Sequence, residues 1–205
     1  MKKHYTIAII YLVSLVSGCV SSTKNTPKTD PMLTKIESTH AITVSLKDQQ
    51  LFVVYHQNQT FVFNNVQLYN RFLSDQKTTY RRTFIGGGPR GNTIIYVLTQ
   101  SDKDKKQNTA KKILGDNVSL LGKFYGEVYQ PKENRFYIFT KLNRFKTYLK
   151  TGNQHGYFLD KHAGPNQEDV AYILEKSNGY QRSATITSTF NTIHGIYNKT
   201  NKPVR

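Results

Sequence analysis

The chain has one cysteine, no tryptophan, and 13 acidic residues against 29 lysines and arginines. A single cysteine excludes any disulfide within the chain, so stability must come from an ordinary packed core. The longest apolar run, Ile7 to Val16, is shorter than the roughly 20 residues that cross a bilayer. No Gly-x-Ser-x-Gly elbow offers a nucleophile. The few carboxylates, Asp160, Glu168 and Asp169 among them, have no acid–base partner at a recognisable spacing. His155, Asp160 and His162 lie close together but lack a metal-ligand spacing and read as solvated loop residues. Gly86-Gly87-Gly88-Pro89-Arg90-Gly91 is not a phosphate loop. Pro89 removes a backbone donor, no Gly-Lys-Ser/Thr follows, and the next segment reads as a strand. A tight turn is expected there. No catalytic residue, metal or cofactor is proposed from these absences, and the chain reads as non-enzymatic.

What is present is aromatic and basic. Eleven Phe and 14 Tyr residues can fill a core. The formal net charge is +16, which bears on partners and solubility and not on the fold.

Lys2, Lys3 and His4 precede the apolar run, and Leu15-Val16-Ser17-Gly18-Cys19 closes it. A basic start, a short apolar stretch and small residues before a cut site make a secretory signal peptide over residues 1–18. Val16-Ser17-Gly18-Cys19 resembles the lipobox of bacterial lipoproteins. The resemblance implies cleavage before Cys19 and lipid on its thiol, an envelope location, and a membrane as partner. Val20, where an Asp would imply inner-membrane retention, implies the outer membrane of a Gram-negative host. Removing Lys2 and Lys3 leaves 27 basic against 13 acidic residues, or +14. Residues 19–39 then hold the lipidated cysteine and a Ser/Thr/Lys/Pro tether with few large apolar groups.

The rest reads as an internal duplication, a first repeat over 40–115 with a Lys-rich linker and a second over 116–205 with a C-terminal tail. Val54-Tyr55 matches Val128-Tyr129, Phe61-Val62-Phe63 matches Tyr137-Ile138-Phe139, and Gly88-Pro89 matches Gly164-Pro165. Val66, Tyr69, Phe72 and Leu73 match Leu142, Phe145, Tyr148 and Leu149, each set on one helical face. Phe84-Ile85 is set against Phe158-Leu159 at an offset of 74. The expected fold is α+β, with two tandem hairpin-helix-strand modules and an antiparallel sheet. Thr93–Thr99 and Asn166–Tyr172 are expected as strands, and Ser183–Phe190 as a last strand. Ser101 to Leu114 is expected to end in a short helix. A hairpin followed by an aromatic-faced helix resembles YHS-type modules in outline. Their Tyr-His-Ser signature and metal-binding residues are absent, so nothing follows from that.

The candidate binding residues are basic: Lys105, Lys106, Lys111 and Lys112 in the linker, and Arg144, Lys146 and Lys150 on the solvated face of the second helix. Nucleic acid is not an expected partner for an exported protein. Anionic head groups or envelope polymers are the available counter-charges. The expected function is a lipid-anchored envelope binding module. An immunity or inhibitor lipoprotein acting on a periplasmic toxin is the alternative, and an envelope hydrolase the further one.

Overall fold

A computed structural model describes residues 42–44, 49–115, 118–120, 122–154, 156–176 and 179–196. The leader, Cys19, the tether and His155 lie outside the described residues.

From Gln49 onward the chain builds an eight-stranded sheet. It opens with the hairpin β2 (Gln49–His56) and β3 (Gln59–Phe63), after a short β1 (Ile42–Val44). Gln57 (φ 47°) and Asn58 (φ 61°) form the hairpin corner. Two consecutive positive φ values mark a type I′ turn, whose twist suits the flanking strands. Helix α1 (Val66–Asp75) follows, started by Asn65, whose side chain accepts from the Leu68 N–H at 2.9 Å. Then come β4 (Tyr80–Phe84), β5 (Thr93–Leu98) and the short helix α2 (Thr109–Leu114). After β6 (Val118–Leu120) the second half runs β7 (Phe124–Gln130), β8 (Arg135–Phe139), α3 (Leu142–Thr151), β9 (Tyr157–Asp160), β10 (Asp169–Ile173) and α4 (Ala184–Ile193).

The strand order is β4-β5-β3-β2-β7-β8-β10-β9. The α+β expectation holds, but the sheet is mixed and not antiparallel. Parallel pairs β3·β5, β2·β7 and β8·β10 alternate with antiparallel hairpin pairs. The cause is the helix inside each half. It carries the chain away from the first hairpin, and the second hairpin returns with its inner strand parallel to its neighbour. β1 and β6 form a separate parallel pair.

Two further expectations are corrected. The unit is not hairpin-helix-strand, because β4 and β9 complete a second hairpin in each half. Tyr80-Arg81-Arg82-Thr83-Phe84 hid its strand character behind two arginines. Charge on an edge strand discourages pairing with other chains, and β4 and β9 are the sheet edges. The β-branched tail Ala184–Ile193 is a helix. Ile186, Phe190 and Ile193, spaced four and three apart, turn one apolar face to the sheet.

The central strands are buried on both faces, as near-continuous apolar runs such as Leu51-Phe52-Val53-Val54 require. Leu51, Val53, Val62, Val128, Tyr137 and Phe139 face one core, where α2 and α3 pack through Ala110, Ile113, Phe145, Tyr148 and Leu149. Phe52, Val54, Phe61, Phe63, Phe136 and Ile138 face the other, where α1 and α4 pack through Tyr69, Phe72, Ile186 and Phe190. Each half therefore places its first helix on the opposite face from the other half's.

Pairing registers repeat between the halves. Val54 lies opposite Phe61 and Val128 opposite Tyr137. Phe61 lies beside Ile95 and Tyr137 beside Ala171. Arg82 lies opposite Tyr96 and Phe158 opposite Tyr172, so Phe158 corresponds to Arg82 and not to Phe84. The Gly-Pro turns also agree. Gly88 N–H bonds Asn92 O at 2.8 Å, and Gly164 N–H bonds Glu168 O at 2.8 Å. No helix among the described residues is long and apolar enough to cross a membrane.

Candidate functional site

The basic residues expected from sequence are placed on two elements and are not all available. Arg82 donates to three carbonyls, Lys103 O (3.1 Å), Lys105 O (2.5 Å) and Lys106 O (3.1 Å), and so ties the lysine-rich loop to strand β4. Lys105 pairs with Asp102 at 2.7 Å, which with Thr99 holds the Asp102 carboxyl below its ordinary pKa. Lys106 and Lys112 are exposed. Lys111 lies 4.0 Å over the Phe84 ring. On α3, Arg144 reaches Glu175 at 3.9 Å. Lys146 donates to Gly115 O, just past the C-terminus of α2, at 2.5 Å, a favourable place for a cation. Lys150 is in the last turn of α3 and exposed.

A better-formed site lies at the end of the sheet where β2 and β7 begin. There an open cleft of about 1020 Å³ runs between the start of α3, strand β6 and the first half of α4. Lys123, Lys141 and Lys146 line it, with Thr140, Asn143, Thr185 and Thr189 supplying polar groups and Phe124 and Tyr125 part of the floor. No carboxylate is among its described lining residues. The local sequence sharpens this polarity. Helices α1 and α2 are capped by Asn65 and Asn108, whose side chains accept from first-turn N–H groups. Helices α3 and α4 begin at Lys141 and Ser183, which make no such capping bond. A lysine at the positive end of a helix is electrostatically unfavourable by itself and favourable beside an anion.

Helix α4, one wall of the cleft, is held by a buried polar cluster. Glu127 on β7 is fully buried. Its Oε1 accepts from Tyr69 Oη at 2.5 Å and lies 2.8 Å from His194 Nε2. Its Oε2 accepts from Tyr125 Oη at 2.6 Å. The cluster joins the sheet to α1 through Tyr69 and to the end of α4 through His194. Phe52 stacks on Tyr69 at 4.6 Å, and Phe136 and Phe190 lie 5.0 and 4.5 Å from the His194 ring. Burial first, and then the Glu127 charge, push the pKa of Tyr69 and of Tyr125 well above the ordinary value, so both remain hydrogen-bond donors. Asn70 adds a bond to Ile193 O at 2.8 Å.

Sequence reasoning missed Lys123 and the Glu127 cluster, and took Lys141 only as the start of a basic helix. The one available signal was Glu127 itself, a charge inside the otherwise uncharged run Phe124-Tyr125-Gly126-Glu127-Val128-Tyr129. Apart from Tyr125 two residues away, its partners lie 58 and 67 residues off and carry no local signature. Asp160 pairs with Arg182 at 2.7 Å, and Asp169 accepts from the His162 N–H and from Arg135. Asp160 and Asp169 are thus held in ion pairs. Glu168 is buried, and its carboxylate accepts from Asn166 within the Gly164-Pro165 turn. Among the described residues no three His, Cys, Asp or Glu converge to hold a metal. The segment from Gly86 to Gly91 forms the turns between β4 and β5, with Gly91 N–H on Gly88 O at 2.9 Å.

Matched against protein-family models, curated proteins and solved structures, the chain gives no match.

Proposed function

We propose that this chain is a non-enzymatic binding module of a bacterial cell envelope, anchored by lipid on Cys19, and that it takes an anionic envelope polymer in the cleft. The cleft carries the proposal: Lys123 and Lys141, with Lys146 held on Gly115 O beside them, two uncapped helix starts and no carboxylate among its described lining residues. The lipobox-like Val16-Ser17-Gly18-Cys19 supports the envelope, and Val20 the outer membrane. Substrate-like chemistry is not required of such a site. It needs only fixed positive charge and hydroxyl or amide groups to orient phosphate or carboxylate.

Binding of fluorescent inorganic polyphosphate, a lipid-free polyanion, tests the cleft. Lys123→Gln with Lys141→Gln should weaken it about tenfold or more, as expected for losing charge-assisted contacts, while Lys132→Gln, outside the cleft, leaves it unchanged. Equal affinity in both variants overturns the site. For the anchor, Cys19→Ala should abolish lipid labelling and release the chain from membranes or leave it uncleaved. Equal mass and retention would refute it.

The two halves are also proposed to be copies of one unit, each hairpin-helix-hairpin-helix. The repeated registers and matched turns support this. An experimental structure in which Phe72 does not superpose on Tyr148, or Pro89 on Pro165, would overturn it.

A further inference from the structure

Ile85 is 91% exposed, the most exposed large apolar side chain of the described residues. It stands at the corner of a turn that closes with Gly87 N–H on Phe84 O at 3.3 Å, and the next residue, Gly86, has φ 68°. That is the signature of a type II turn, with Ile85 at its first corner. A Cβ on Gly87 would lie 2.9 Å from that of Phe84, so the turn is tight and its apolar tip is held outward.

Cations run along the β4 edge behind this tip, with the lysine-rich loop towards the strand's other end, where Lys103 lies 5.5 Å over the Tyr80 ring. Arg81 on the strand is exposed, while the Arg90 guanidinium across the turn lies 4.7 Å over the Tyr55 ring. The Arg82 guanidinium fastens the loop from 103 to 106 beside the same strand through its carbonyls, leaving Lys103 and Lys106 exposed. Lys111 sits over Phe84, the residue before the tip. From residue 101 to 112 there are five lysines and only two carboxylates, Asp102 and Asp104, and Asp102 is already paired with Lys105.

We infer that the β4 edge and the lysine-rich loop form a docking surface for an anionic bilayer, with Ile85 entering the head-group region. This rests on the reading that the chain is tethered to a membrane. Charge complementarity alone fits either a soluble polyanion or a lipid surface. An isolated, outward-held isoleucine separates them: it gains by leaving water at a bilayer and gains nothing on a hydrated polymer. A lipid chain at one end of a flexible tether and a protein contact on the domain would together fix the domain's orientation, because the second contact becomes intramolecular.

The test uses the mature chain, residues 19–205, carrying Cys19→Ser, so that neither lipid nor the apolar run from Ile7 to Val16 contributes, and vesicles of phosphatidylcholine with or without phosphatidylglycerol. Ile85→Ala is set beside the parent, and polyphosphate binding is measured on the same preparations. The expected result is a fall of about fivefold in partitioning to the anionic vesicles, with polyphosphate binding unchanged. Replacing Lys105, Lys106, Lys111 and Lys112 with Glu should abolish the preference for anionic over neutral vesicles. Unchanged partitioning of Ile85→Ala to anionic vesicles overturns the docking surface, whatever happens to polyphosphate. Loss of polyphosphate binding on Lys123→Gln with Lys141→Gln, with vesicle binding intact, keeps the cleft separate. Circular dichroism checks that the quadruple variant folds; Ile85→Ala decides the matter if it does not.

Discussion

Glu127→Gln changes no volume and removes one buried charge, so its cost measures how far the polar cluster holds α4 to the sheet. In the native protein two oxygens accept from Tyr69, Tyr125 and the His194 position. A glutamine offers one oxygen and one NH₂ group. Either orientation sets the NH₂ against at least one donor, and that donor has no other partner in a core of Phe52, Phe136, Ile138 and Phe190. A stranded buried donor costs about 1–3 kcal/mol, and the surviving bonds fall from charge-assisted to neutral, about 1 kcal/mol each. Relief from burying a carboxylate offsets part of this. The expected net loss is about 2–4 kcal/mol, a large share of the roughly 5–15 kcal/mol typical of a domain. Tyr69→Phe removes one of the two tyrosine donors and should cost only about 1–2 kcal/mol. Because both changes touch one network, the double variant should lose less than the sum of the two. With no tryptophan in the chain, urea unfolding is followed by circular dichroism and tyrosine fluorescence. A Glu127→Gln midpoint and slope equal to wild type, within about 0.5 kcal/mol, would show that the cluster does not hold the fold.

Three further outcomes are expected. Gly126→Ala should cost about 1–3 kcal/mol by thermal or urea unfolding, since its Cβ would fall 2.5 Å from the ring of Phe145 and 2.7 Å from Phe124; a neutral result would mean these buried rings shift freely. Leu149→Ala should cost about 2–5 kcal/mol because Leu149 is buried, and Leu73→Ala clearly less, because Leu73 is only partly buried against its core; equal costs would contradict this packing. In an alkaline ultraviolet titration Tyr96 should ionise only at about 12, raised by burial, and Tyr69 and Tyr125 not before unfolding. Their folded pKa values lie above the unfolded value near 10, so this stabilisation is complete below about pH 10 and is lost as pH rises past it; simultaneous titration of all 14 tyrosines near pH 10 with the fold intact would refute the burial argument.

Much of the chain's organisation was local and therefore legible. Apolar runs broken by polar corners marked β2, β3, β7 and β8, and the spacing of Tyr69 and Phe72, and of Phe145, Tyr148 and Leu149, marked the buried faces of two helices. Comparing the halves made Asp169–Ile173 a strand, although Asn166-Gln167-Glu168 resembles a helix start. The edge strand β4 was hidden because Arg81 faces solvent and Arg82 is drawn to the carbonyls of the lysine-rich loop, so neither needs apolar alternation. The tail was misread because Thr and Ile favour strands by their local sterics, while Ile186 and Phe190 gain more by burial against the sheet as one helical face. Which lysines are spent was also invisible. Lys146 is drawn to Gly115 and Lys105 to Asp102, while Lys141 and Lys123, from different elements, come to share a cleft.

Sequence by itself determined the leader-like start with Cys19 at its close, the surplus of cations and the periodicities of the elements. Each depends on residues near one another along the chain. Tertiary structure decided the parallel joining of β2 to β7, the opposite faces taken by α1 and α3, the burial of Glu127 among partners from three elements, and the meeting of two helix starts in one cleft. Each of these depends on contacts across long loops, where the free energy comes from the joint burial of two surfaces and neither surface alone records its partner.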